Sequence, residues 1–90
     1  LSPEQLAQAA ARAAAMAAAQ AVARGGVADA GRIRAAAQAV LDGQPALRTQ
    51  YCEVVDAETM GRVASVSGRA CAIAVACLLG ATRLIDNADL

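Results

Sequence analysis

Alanine occupies 27 of the 90 positions, and twelve of those alanines crowd between Ala7 and Ala23. This run is the strongest constraint on the fold. Alanine has the highest helix propensity and loses no side-chain rotamer entropy, so the stretch reads as helix rather than linker. Its start is marked by Leu1-Ser2-Pro3-Glu4-Gln5-Leu6. Ser2 can be the N-cap, Pro3 occupies the first helical position, and Gln5 can close a capping box. Leu1 and Leu6 can form a hydrophobic staple across that box. The spacing predicts a helix over about 3–24, stopped by Gly25-Gly26. Leu6, Met16 and Val22 are its only large apolar residues, and its methyl-rich surface lets a partner element approach closely.

A second helix is predicted over about 30–42. Asp29 can cap it, Ile33, Ala37, Val40 and Leu41 recur at helical spacing, and Gly43 and Pro45 end it. The short connection favours an antiparallel helix hairpin.

From Leu47 the period changes. Residues 47–55 are rich in Thr, Tyr and Val and read as a strand, followed by a turn over Asp56 to Thr59 that Asp56 can cap. Residues 60–68 read as a loop, with short extended pieces near Val63 and Val66. The clearest β signal is Ala70 to Leu79. Cys71, Ile73, Val75, Cys77 and Leu79 fall on one face, and Ala70, Ala72, Ala74 and Ala76 on the other. Neither face is polar, so this strand is expected at the centre of a sheet, its alanine face open to close approach by a helix. Gly80-Ala81 suits a two-residue hairpin into a returning strand over 82–86. The expected fold is α+β: a single domain over 1–90, with two N-terminal helices packed on a three-stranded antiparallel sheet.

The missing residue types bound the chemistry. The chain has no His and no Lys, which removes the usual neutral-pH proton shuttle, the P-loop lysine and any Schiff-base lysine. That counts against an autonomous enzyme. Eight Arg balance eight Asp and Glu, so no strongly basic nucleic-acid surface is expected. Tyr51, the only aromatic residue, makes no base-stacking platform. The longest uncharged stretch, Ala70 to Thr82, is too short to span a bilayer, so no membrane partner is expected. Three cysteines without a C-x-x-C pair read as reduced thiols in a cytoplasmic protein.

The remaining candidates favour structural readings. Arg12, Arg24, Arg32 and Arg34 leave one net positive charge over the first 42 residues, once Glu4, Asp29 and Asp42 are set against them, which fits a solvated helix face. Cys52, Cys71 and Cys77 lack a fourth zinc ligand and read as small buried hydrophobes. Glu53, Asp56 and Glu58 read as turn caps and edge charges rather than an acid–base set. Thr59, Ser65 and Ser67 have no general base to activate them. Arg69 and Arg83 read as solvated sheet-edge residues. No catalytic, cofactor-binding or metal-binding residue is assigned.

One resemblance ties these absences together. Arg69-Ala70, the alternating strand after it and Gly80-Ala81-Thr82-Arg83-Leu84-Ile85-Asp86-Asn87 resemble the C-terminal end of the pantothenate synthetase (pantoate–β-alanine ligase) family. Leu47 to Thr59 resembles that family's D-Y-x-E-[VI]-x-D-x-x-T-L segment, with Gln50 in place of the usual Asp and Met60 in place of the usual Leu. Leu1 to Gln5 resembles the residues that follow its S-S-R-N-x-Y signature. The resemblance implies the C-terminal lid domain of a longer, cytoplasmic enzyme, inactive alone, and the first residue being Leu fits a fragment. Its partner would be an N-terminal nucleotidyltransferase domain carrying the H-x-G-H, G-x-K-D and S-S-R-N motifs. The implied reaction joins pantoate to β-alanine with ATP and Mg2+ through pantoyl adenylate, releasing pyrophosphate and AMP. The competing expectation is a stand-alone interaction domain that self-associates as a homodimer through its sheet or its alanine-rich helix.

Overall fold

The computed structural model describes residues 2–90 and orders them as α1 (Pro3–Arg24), α2 (Ala30–Asp42), β1 (Arg48–Asp56), β2 (Cys71–Leu79) and β3 (Thr82–Asp89). This is the expected α+β arrangement of two helices and one antiparallel sheet. The capping box forms as the sequence implies: Gln5 N–H donates to Ser2 Oγ, and Ser2 N–H donates to Gln5 Oε1. The staple partner Leu1 lies outside the described residues.

Two glycines finish α1 for a definite reason. Gly26 N–H donates to the Ala23 carbonyl and Val27 N–H to the Val22 carbonyl, the paired bonds of a Schellman motif. That motif needs a left-handed residue, which Gly26 supplies at φ +99°. Asp29 then caps α2 by accepting from Arg32 N–H at 3.0 Å. α1 and α2 pack along one another, α1 towards β3 and α2 towards β1.

The strand order is β1-β2-β3, with β2 central as its two apolar faces require. The hairpin after β2 has two residues, Leu79 pairing with Thr82. Gly80 takes φ +60° at the first turn position, which twists the chain the way a tight hairpin needs. β3 extends to Asp89, three residues beyond the expected end at 86, because Asn87, Ala88 and Asp89 continue the ladder to Ala74, Ile73 and Ala72. Pairing overrides the turn preference of Asn and Asp here. β1 and β2 each begin one residue later than expected, at Arg48 and Cys71, and β1 ends one later, at Asp56.

The alanine face of β2 is not where the helices sit. Cys71, Ile73, Val75 and Cys77 share the main core with Met16, Ala19, Ile33, Ala37 and Leu41. The reason is volume. A helix layer rests about 10 Å from a sheet, and on the helix side the alanines of α1 and α2 fill little of that gap, so β2 must offer its larger side chains there. Ala72 and Ala74 instead join Val55 in a separate small cluster on the outer face.

Loop residues 60–66 tie the layers together. Arg62 bridges to Val55 beside β1, and Ser65 bridges to Asp29 at the start of α2. These bridges are the short extended pieces expected in the loop.

Candidate functional site

A concavity of about 460 Å3 opens where α2 passes the free edge of β1. A bulge makes it. Thr49 pairs with Cys77 and Tyr51 with Ala76, so Gln50 is an extra residue that bends the edge strand. Arg34 reaches down from α2 and donates Nε–H to the Cys52 carbonyl at 2.8 Å. Glu53 lies between two guanidinium groups, 3.9 Å from Arg34 and 3.8 Å from Arg62. Asp42, Gln38, Gln44 and Tyr51 also line it. The cleft can hold a polar segment: Arg34 and Arg62 share the Glu53 carboxylate, and Asp42 accepts from Gln38 Nε2.

The other sequence candidates are dispersed. Arg12 forms an ion pair with Asp86 of β3, fastening α1 to the sheet, and Gln20 Nε2 donates to the Asp89 carbonyl farther along. Arg24 and Arg32 are exposed, whereas Arg12 and Arg34 are engaged with the sheet, so the four helical arginines do not act as one patch. Asp56 caps its turn by accepting from Glu58 N–H at 2.8 Å and Thr59 N–H at 3.1 Å. The Thr59 and Glu58 donors, aided by Arg69 at 3.8 Å, hold its carboxyl below the usual range. Glu58 is exposed. Thr59 Oγ1 accepts from Gly61 N–H, and Ser65 Oγ accepts from Ser67 N–H, so both hydroxyls shape turns.

Cys52, Cys71 and Cys77 are free and buried. Burial pushes the Cys52 thiol up to about 11, with Arg34 pulling against it, and raises the other two thiols as well. Thiols held protonated are poor nucleophiles and poor metal ligands. Among the described residues no group of three or more Cys, Asp or Glu is placed to hold a metal ion.

Four features lay beyond what the residue types signal. The bulge at Gln50 and the reach of Arg34 to a main-chain carbonyl carry no residue-type signature. Met60 adopts φ +62°, a left-handed conformation for a non-glycine residue, stabilised by its N–H donating to the Asp56 carbonyl at 2.9 Å. Finally, Gln8 is 1% exposed, and neither its amide nitrogen nor its amide oxygen has a hydrogen-bond partner.

Comparison with known proteins gives one family throughout. The family profile described as pantoate-beta-alanine ligase matches residues 1–89. Pantothenate synthetase of Rubrobacter xylanophilus is 44% identical over all 90 residues, which span 31% of its length. A bifunctional pantoate ligase/cytidylate kinase of Synechococcus elongatus is 40% identical over 65 residues, which are 72% of this chain and 12% of that one. The crystal structure of pantothenate synthetase from Thermus thermophilus superposes with a TM-score of 0.86 at 30% identity, covering 99% of this chain and 32% of that one. The chain therefore spans about a third of the length of the Rubrobacter and Thermus synthetases. No helix among the described residues is long and apolar enough to cross a membrane. On the match along its whole length, the chain belongs to the pantoate–β-alanine ligase family.

Proposed function

We propose that these residues form the C-terminal lid domain of a pantoate–β-alanine ligase. The whole enzyme would activate pantoate with ATP, giving pantoyl adenylate and pyrophosphate, and β-alanine would then displace AMP to give pantothenate. One observation carries this reading: the chain matches the family from end to end yet spans 31% of its relative, and it lacks His and Lys entirely. A domain built this way contributes cover and binding surface rather than chemistry. An acyl adenylate is a mixed anhydride that water destroys, so a closing domain raises yield by excluding water until the amine attacks.

ATP and Mg2+ belong to the remainder of the enzyme in this reading. The residues present do not fit them: no metal-binding cluster occurs among the described residues, and Gly25-Gly26 ends a helix instead of opening one. No step of the reaction is assigned to this chain. A cytoplasmic setting, where thiols stay reduced, suits its three free cysteines. The threefold greater length of the relatives favours the ligase domain over a self-sufficient interaction domain.

The test is an assay of the full-length protein with pantoate, β-alanine and ATP. Pantothenate and AMP should form in equal amounts, and the 90-residue chain alone should release no AMP. Absence of AMP from the full-length reaction, or turnover by the isolated chain, would overturn the proposal.

A further inference from the structure

A separate cavity of about 250 Å3 lies between the first half of α1 and the β2–β3 hairpin. Ala9, Leu79 and Leu84 give it an apolar wall, and Gln8 and Arg12 a polar one. Gln8 and Arg12 are four residues apart, so they stand one turn apart on the same face of α1. The buried residues of that helix are Gln8, Ala15, Met16 and Ala19, and Gln8 alone among them is polar. Helix packing calls for an apolar residue at its place, so the exception needs a reason.

The polar atoms of this pair lack partners. Gln8 Nε2 and Oε1 and Arg12 Nε are sealed from solvent and make no hydrogen bond. Arg12 gives a terminal nitrogen to Asp86, which leaves its Nε–H over. Buried polar groups in folded proteins nearly always have partners, so three orphaned atoms on neighbouring side chains mark a place where a partner belongs. No bond fixes the Gln8 amide, and its last torsion is soft, so it can turn towards the cavity it lines.

Donor and acceptor count sets the class of that partner. Gln8 offers one acceptor and an NH2 donor, and Arg12 one further donor. A carboxamide answers all three. Its N–H donates to Gln8 Oε1, and its carbonyl oxygen, with two lone pairs, accepts from Gln8 Nε2 and Arg12 Nε. A carboxylate has no hydrogen to give and would leave Gln8 Oε1 orphaned. Charge points the same way, since Arg12 is the one charged residue in the lining and Asp86 already balances it. At about 30 Å3 for each water-sized group, the cavity holds about eight non-hydrogen atoms. That is a short aliphatic amide whose carbon skeleton meets Leu79 and Leu84.

We propose that the cavity between α1 and the β2–β3 hairpin is a binding site for a small neutral carboxamide, recognised by Gln8 and Arg12. The site stands apart from the ligase reading and holds whether or not the whole protein makes pantothenate.

The probe is isobutyramide, with isobutyrate as its charged isostere. Binding to the full-length protein is titrated by saturation-transfer NMR in the parent, in Gln8→Leu and in Ala9→Leu. The second variant fills the cavity from an exposed helix position and keeps both polar side chains. Isobutyramide should bind the parent with a Kd of about 1 mM or lower, and isobutyrate about tenfold more weakly or worse. Each substitution should weaken isobutyramide by about tenfold or more, with melting curves showing that the variants are folded. No binding to the parent would overturn the proposal, leaving the cavity to water or to another segment of the polypeptide. Unchanged binding by either folded variant would overturn it too. Tighter binding of isobutyrate would give the site to an anion and overturn the assignment to an amide.

Discussion

Arg34 of α2 donates its guanidinium Nε–H to the main-chain carbonyl of Cys52 at 2.8 Å, closing off an outward-facing carbonyl of the edge strand β1. One side chain thus fastens a helix to a strand edge that would otherwise invite pairing with another chain. Arg34→Met should destabilise the domain by about 1 kcal/mol, below the roughly 1.5–3 kcal/mol usual for charged hydrogen bonds, since Arg34 is partly exposed. Arg34→Lys should recover part of the loss. Urea unfolding of the three proteins measures it, and identical midpoints would show that the bond contributes nothing.

Gln8 makes the opposite prediction. Its amide is buried without a partner, which costs about 1–3 kcal/mol. Gln8→Leu keeps the size and removes the orphaned groups, so it should raise the melting temperature by about 4–8 °C for each kcal/mol recovered. A lower melting temperature would mean that the amide is satisfied in the intact protein.

Gly80 carries the β2–β3 hairpin at φ +60°. Gly80→Val should lower stability by about 1–2 kcal/mol or more, because a β-branched side chain clashes in left-handed backbone. Gly80→Asn should be milder, as Asn tolerates that region. Melting curves that do not distinguish Val from Gly would contradict the turn.

The Asp56 cap sets a pH dependence of definite sign. Its carboxyl is held low by the Thr59 and Glu58 amides, so the folded state favours the charged form. The stabilisation is present above the unfolded carboxylate value of about 3.9 and is lost as pH falls through the lower folded value. Asp56→Ala should therefore be less stable than the parent at about pH 6, with the gap closing towards about pH 2. A gap that is constant across the acid range would remove Asp56 as its source.

Much of this architecture was legible because local chemistry and tertiary context agreed. Ser2-Pro3 and Gln5 could hardly do other than start a helix, Gly25-Gly26 stopped it, and Gly80 placed the hairpin. The double apolar alternation from Cys71 put β2 at the centre. What stayed hidden depended on partners distant in sequence. Which face of β2 the helices would cover turned on how little volume α1 and α2 could supply, and the alanine face was the wrong expectation. β3 ran on through Asn87 to Asp89 because β2 was there to pair with it. The bulge at Gln50 and the Arg34 bond that shape the cleft depend on register, which residue types alone do not specify.

The central claim, that this domain closes over a nucleotide site carried elsewhere in the polypeptide, is tested most directly by removing it. Nucleotide binding and pantothenate formation would be measured side by side in the full-length protein and in a version lacking residues 1–90. ATP affinity should change by no more than about tenfold, while pantothenate formation should fall by about a hundredfold or more as the adenylate is left open to water. Unchanged pantothenate formation without the domain would contradict the account.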